Sequence, residues 1–146
     1  MFSLRDLELG DNSWITEAVR DPEIQRWTAS GGISQDDLKN WVILKGEDPA
    51  GLIALHAIDE PTSTADVGYW IAPWARRQGA ATAALTLIQE ELRNTPGVRS
   101  IQLSIMDSNE PSLALARTLG FEEKASGTCS CGTQGEVSAV IFEKTL

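Results

Sequence analysis

The sequence predicts an α/β protein built on one mixed, mostly antiparallel sheet of about seven strands flanked by helices. Two observations carry that reading. Apolar segments recur in the order strand, helices, three strands, helix, strand, helix, two strands. The most regular helical segment, Ala80 to Arg93, carries Ala81, Ala84, Leu85, Ile88 and Leu92 on a single stripe, which must pack on a sheet. The length, 146 residues, fits one domain with a sizeable core, residues 1–146.

Phe2 to Leu7 reads as the first strand. Asp11 or Ser13 caps a helix to Arg20, with Trp14, Ile15, Ala18 and Val19 on one side. Asp21-Pro22 is a cap followed by a helix-starting proline, so Glu23 to Trp27 is a second short helix. Thr28 to Ile33 reads as loop. Ser34, with Asp37 three residues on, predicts a further helix with Leu38 and Trp41 facing inward. Val42 to Lys45 and Ala50 to Ile58 form a hairpin around Gly46-Glu47-Asp48-Pro49, and Asp59 to Thr64 turns into an antiparallel strand, Asp66 to Ala72. Asn94-Thr95-Pro96-Gly97 ends the long helix. Ser100 to Met106 alternates, with Ile101, Leu103 and Ile105 on one face. Asn109 or Ser108 caps a helix that has Pro111 in its first turn and ends at Gly120. Phe121 to Ser126 and Val137 to Lys144 are the last strands, joined by a loop, Gly127 to Gly135.

Composition bounds the partners. Hydrophobic residues make up 42% and charged residues 23%, ordinary for a globular protein. No apolar run approaches the roughly 20 residues of a membrane span, and the first residues lack a basic-then-apolar leader, so a cytoplasmic protein without a membrane partner is expected. With 21 acidic against 12 basic residues the net charge is -9, which argues against nucleic acid and suits cationic substrates such as amines. Cys129 and Cys131 form a Cys-x-Cys. With His56 as the only other candidate ligand, a structural zinc site falls short of four ligands, so no metal is expected and two reduced thiols on a loop are.

Arg76-Arg77-Gln78-Gly79-Ala80-Ala81 is the stretch that points to chemistry. A strand enters a short loop that becomes a helix N-terminus, whose free N–H groups and partial positive charge bind phosphate. Gly79 allows close backbone approach and Ala81 keeps the next position small. The spacing is neither a P-loop nor a Rossmann loop. A site for a pyrophosphate-bearing cofactor is expected, with a basic turn capping an ordinary surface helix as the alternative.

That loop, Arg76-x-x-Gly79-x-Ala81, resembles the coenzyme A loop of the GNAT acetyltransferase superfamily. Downstream, Asn109-x-x-Ser112 followed by a helix and Gly120-Phe121 resembles the second GNAT signature, in the correct order. Gly68-Tyr69-Trp70-Ile71-x-Pro73 also matches. Asp21-Pro22-Glu23-Ile24-x-Arg26-Trp27 is similar to the branch of ribosomal-protein-alanine N-acetyltransferases. The resemblance implies a GNAT-like fold, splayed between the strands holding Ile71 and Ile105. It implies acetyl-coenzyme A as acyl donor, with the pantetheine arm pairing near Ile71 and Pro73. The diphosphate would lie on the amides of Gln78, Gly79, Ala80 and Ala81, flanked by Arg76 and Arg77. Asn109 would bind the arm, and Ser112 would lie near the sulfur. The acceptor would be a primary amine, on a protein N-terminus or a small molecule, and the enzyme a monomer or homodimer.

The pattern departs from the family in two places. The tyrosine that many members place four residues before the Gly-Phe glycine is Ala116 here, and the glutamate that some members carry five residues before the asparagine is Ser104. Asp66 is a candidate catalytic residue beside Ser112, able to attract an ammonium group, with an ordinary strand-end role as its alternative. His56 and Tyr69 are further candidates, each with a packing role as its alternative. Trp27 and Trp74 are the tryptophans best placed for an aromatic cage, again with core packing as the alternative. The sequence leaves open an N-acetyltransferase with direct transfer or a noncatalytic acyl-coenzyme A-binding module.

Overall fold

The computed structural model describes residues 1–28, 36–129 and 135–146. Seven strands, β1 (Phe2–Asp6), β2 (Lys39–Lys45), β3 (Asp48–Asp59), β4 (Thr64–Ile71), β5 (Ser100–Met106), β6 (Glu122–Cys129) and β7 (Val137–Thr145), form one sheet. Their order is β1-β2-β3-β4-β5-β7-β6. Among the described residues four helices accompany them: α1 (Asn12–Ala18), α2 (Pro22–Trp27), α3 (Ala80–Arg93) and α4 (Glu110–Thr118). Short 3-10 turns at Leu9–Asp11 and Pro73–Ala75 lead into α1 and towards α3.

Every neighbouring pair of strands is antiparallel except β4 and β5. Those two are joined by α3, the helical crossover that a parallel pair requires. Their ladder is short: Thr64 pairs with Ser100, Ala65 with Ile101 and Asp66 with Gln102. Beyond it β4 continues to Ile71 along β3, and β5 continues to Met106 along β7. The sheet therefore splits between Val67–Ile71 and the facing end of β5.

Two cores hold the sheet, one on each face. On one face α3 buries Ala84, Leu85, Ile88 and Leu92, and α4 buries Leu113 and Ala116, against Ile53, Val67, Leu103 and Phe142. On the other face Ile15 and Ala18 of α1 and Ile24 of α2 pack on Val42, Leu52 and Trp70. Because side chains alternate along a strand, β4 sends Val67 to the first core and Trp70 to the second.

A carboxylate fastens β1 to the turn before α1. Asp11 is buried and accepts from both terminal nitrogens of Arg5 at 2.8 and 2.7 Å, from the Trp14 indole at 2.8 Å and from the Glu8 amide at 2.8 Å. The Arg5 bond, above all, holds its pKa well below the usual carboxylate range.

Three expectations are corrected. Trp41 is not on a helix: it lies in β2 opposite Ile53 and is buried in the first core, while Leu38 is exposed. Pairing with the long β3 outweighs the helix-like spacing of Leu38 and Trp41. The start of that expected helix, at Ser34, lies outside the described residues, as does most of the loop expected from Thr28. The strand expected to end at Ser126 runs to Cys129, because Gly127, Thr128 and Cys129 pair with Ala139, Ser138 and Val137. Cys129 is disulfide-bonded rather than a reduced thiol; Cys131 lies outside the described residues. No helix among the described residues is long and apolar enough to cross a membrane.

Candidate active site

The split in the sheet is the floor of a cleft of about 870 Å³. That size is typical of pockets for substantial organic ligands. Ile71, Arg76, Arg77 and Ala81 line one end, Tyr69, Asn109 and Ser112 the middle, and His56, Asp66 and Gly68 the other. Ile24, Trp27 and Thr28 border it from α2, and Ser104 and Ile105 from β5.

The start of α3 is built to leave amides free. Gly79 is the N-cap residue with φ +84°, a left-handed conformation that glycine adopts without strain, and no side chain caps the helix. The first helical bond back to the cap runs from Ala83 N–H to the Gly79 carbonyl at 3.0 Å, which leaves the preceding amides to other partners. Ala80 is buried. Pro73, Gln78, Gly79 and Ala80 form the turn and helix start beside the cleft rather than its lining. The Gln78 side chain accepts from Lys45 at 2.5 Å and donates to the Trp74 carbonyl at 3.3 Å.

The two arginines differ. Arg76 donates to Asp21 at 2.5 Å, and Asp21 also caps α2 by accepting from the Glu23 and Ile24 amides. The Arg76 bond, ahead of the amides, lowers the Asp21 pKa. Arg76 thus ties the loop to α2. Arg77 is exposed, has φ +60° and forms no ion pair among the described residues.

Asn109 is the N-cap residue of α4, yet its side chain makes no capping bond. The carboxamide is therefore left to the cleft that it lines. Ser112, on the next turn, accepts a hydrogen bond of 3.3 Å from the Tyr69 hydroxyl. Burial raises the Tyr69 pKa, so the phenol stays protonated at neutral pH. Tyr69 was expected to pack; it does, and its hydroxyl also reaches the second signature. The position at Ala116 is buried in the core.

At the far end Asp66 is half-buried, and burial raises its pKa, an effect opposed by the nearby His56 and reinforced by Asp37. Asp37 accepts a bond of 2.5 Å from His56 Nδ1. His56 is the extra residue of a β-bulge, since Leu55 pairs with Val67 while Ala57 pairs with Asp66. Bulges re-aim side chains in this way next to binding sites.

Of the two tryptophans singled out for a cage, Trp27 borders the cleft and donates to Glu23 at 2.8 Å, with the Arg26 guanidinium 4.6 Å from its ring. Trp74 lies outside the lining, bonded to the Pro49 carbonyl and edge-on to Trp14 at 6.4 Å. The two do not form a cage together. Among the described residues no group of three or more His, Cys, Asp and Glu is placed to hold a metal ion.

Residues 1–121 match the model of the "Acetyltransferase (GNAT) family". Over 100 residues, 66% of the chain, the sequence is 33% identical to a Bacillus subtilis (strain 168) protein named "Putative ribosomal N-acetyltransferase YdaF". The match spans 52% of that relative's own length. Among solved structures, the ribosomal-protein alpha-N acetyltransferase RimL in complex with coenzyme A superposes with a TM-score of 0.84 at 16% identity, over 99% of this chain and 94% of that one. An aminoglycoside acetyltransferase, AAC(6')-Ib, in complex with coenzyme A gives 0.81 at 18% identity, over 99% and 95%. At these identities the structures share the fold.

Proposed function

The chain belongs to the acetyltransferase (GNAT) family, and on that premise we propose that it moves the acetyl group of acetyl-coenzyme A directly to a primary amine, a protein N-terminus or a small-molecule amine. The observation that carries this reading is the opening of the β4–β5 ladder after Asp66 into a cleft that ends at the uncapped start of α3. A ladder that stops while both strands continue leaves backbone polar groups unpaired, and a linear amide-bearing ligand supplies their partners. A helix start without a cap supplies the anion site.

When bound, acetyl-coenzyme A supplies an acyl group already activated as a thioester. The chain's residues divide the remaining work. Backbone groups of β4 about Ile71, and the carbonyl of Pro73, hold the pantetheine arm. The amides of Gln78, Gly79, Ala80 and Ala81 hold the diphosphate, and Arg77 adds charge more freely than Arg76, which Asp21 already engages. The Asn109 carboxamide binds the arm. The Ile71 region offers an N–H to the carbonyl oxygen, where negative charge grows as the reaction proceeds. Ser112 faces the sulfur, and Tyr69 stands behind it as a protonated donor. Asp66 attracts the ammonium group. Holding amine and carbonyl together supplies much of the rate of such a transfer.

Calorimetry with acetyl-coenzyme A, followed by thiol-release assays over glycinamide, alanine-initiated peptides, polyamines and aminoglycosides, tests the proposal. Transfer to at least one amine is expected. Binding without transfer to any of them would overturn the enzyme reading. It would favour the acyl-coenzyme A-binding module, the reading to which Ala116 and Ser104 lend weight by standing where relatives carry a tyrosine and a glutamate.

A further inference from the structure

Resting on that transferase reading, we propose that the Asp37–His56 pair, facing Asp66 across the bulge, is the acceptor-amine site, and that His56 Nε2 takes the proton from the incoming ammonium.

The geometry assigns the ring its roles. The Asp37 carboxylate lies 2.5 Å from Nδ1, and its side chain is 4% exposed against 43% for His56. An ionised carboxylate only accepts, so Nδ1 carries the proton and Nε2 is left with its lone pair. This is the division of labour in which a carboxylate fixes the tautomer and steadies the imidazolium that forms. Nε2 lies against Gly68: a Cβ built there would stand 2.4 Å from it. Glycine at that position is therefore required for the ring to occupy the cleft side of β4. Three features converge on one nitrogen: a bulge that makes His56 the extra residue, a buried carboxylate on Nδ1 and a glycine that clears space for Nε2. None is needed for a histidine that merely decorates a strand.

The site is also on the correct side. Asp66, Gly68 and Trp70 alternate onto the α1–α2 face, whereas Tyr69 packs with the opposite core and meets Ser112 of α4. The amine thus enters and loses its proton on one face of the split sheet, and the thiol is protonated from the other. The C–N bond forms as the C–S bond breaks. The ammonium surrenders its two protons in turn through Nε2 to solvent, sulfur takes one from the Tyr69–Ser112 side, and solvent returns that proton to Tyr69, so one proton is released per turnover. Glu23 and Asp66 also line the cleft, which makes its acceptor end a place for a cationic amine.

His56 is the only histidine in the sequence, so its imidazole can be followed as a single NMR resonance. The titratable groups facing it are Asp37, from the segment before β2, and Asp66, from β4. Asp37→Asn should move the His56 imidazole resonance, because the group bonded to Nδ1 changes, and should lower kcat/KM by about tenfold or more, measured with whichever amine of the panel turns over best. His56→Gln should remove the acidic limb of kcat/KM and lower it at neutral pH by about a hundredfold or more, with the calorimetric Kd for coenzyme A unchanged. Glutamine keeps a polar group in the same space, and a matched melting temperature excludes misfolding. Wild-type rate and an intact acidic limb in His56→Gln would sink the base assignment while leaving the transferase reading standing. A His56 resonance unmoved by Asp37→Asn would sink the pairing. A wild type that transfers to no amine overturns both.

Discussion

At one end of the β4–β5 seam the sheet is closed by three residue pairs, a buried hydroxyl pair and two amides that share one carbonyl. The Thr64 and Ser100 hydroxyls stand 2.9 Å apart, and the Arg99 and Ser100 amides both donate to the Ser63 carbonyl. At the other end the same two strands run on with no ladder, and the polar side chains of Tyr69, Asn109 and Ser112 line the cleft there. Polar residues at the closed end satisfy one another and contribute stability. At the open end the Tyr69 hydroxyl bonds Ser112, and both line the cleft. The difference teaches that one parallel pair serves as both joint and cleft floor, and that the register decides where the first gives way to the second.

The comparison can be broken hardest at the helix start bordering the open end. Gly79→Trp is expected to abolish binding of coenzyme A, a loss on the order of a hundredfold or more, because an indole covers amides whose hydrogen bonds to a charged group are worth about 1.5–3 kcal/mol each. Since φ at Gly79 is +84°, the melting temperature of the ligand-free variant must be recorded beside the calorimetry. Retained affinity would remove the diphosphate assignment.

Next in size is Ser112→Ala. If the hydroxyl relays a proton from Tyr69 to sulfur, kcat should fall on the order of tenfold to a hundredfold, one hydrogen bond to a charged group, with little change in the dissociation constant. Stopped-flow turnover and calorimetry separate the two quantities. An unchanged kcat while chemistry limits turnover would return Ser112 to a packing role.

The closed end should answer in stability instead. Thr64→Val leaves the buried Ser100 hydroxyl without its partner and should cost about 1–3 kcal/mol in urea unfolding. Adding Ser100→Ala should recover part of that loss, because the orphaned group is then gone. Affinity for coenzyme A should stay as it was. A parallel fall in affinity would mean that the joint and the cleft are not separable.

The smallest effect sharpens the contrast. Burial raises the Asp66 pKa, so the folded state holds a proton more tightly there than the unfolded chain does. Folding stability therefore declines as pH rises from the unfolded value through the folded one. Asp66→Asn should raise the urea midpoint at pH 7, where the charge is disfavoured, and leave it unchanged at pH 3, where the carboxyl is protonated in both states. Equal shifts at both pH values would show that packing, not charge, is responsible.

Much of this molecule was legible before any coordinates. Ala80–Arg93 and Ser100–Met106 stand at the bounds that their periodicity and the flanking Gly79, Pro96 and Gly97 indicated, since helical and strand periods are local signals. Ile71, Arg76, Arg77, Ala81, Asn109, Ser112 and Asp66 all line the one cleft. What local pattern could not show is pairing. Trp41 has a helix-like neighbour in Leu38, and only its place opposite Ile53 makes it a strand residue. His56 reads as one residue of an apolar strand; that it is the unpaired member of a bulge depends on the register with β4. The Tyr69–Ser112 bond joins residues 43 apart in sequence, and no spacing within either segment points to the other. A lone glycine in strand β4 was the one available sign, since such a residue commonly marks a bulge or a close approach.

The open seam has a further consequence for the molecule's company. Val67–Ile71 is in effect an edge strand, and it carries none of the lysines or prolines that usually keep such an edge from recruiting another chain. Its protection is recess: Ile24 and Trp27 stand over one side, and Ser112 and Leu115 over the other. The walls that shape the cleft thus also guard against self-association, and a lesion that lifts α2 or α4 would turn a recessed strand edge into a template for aggregation.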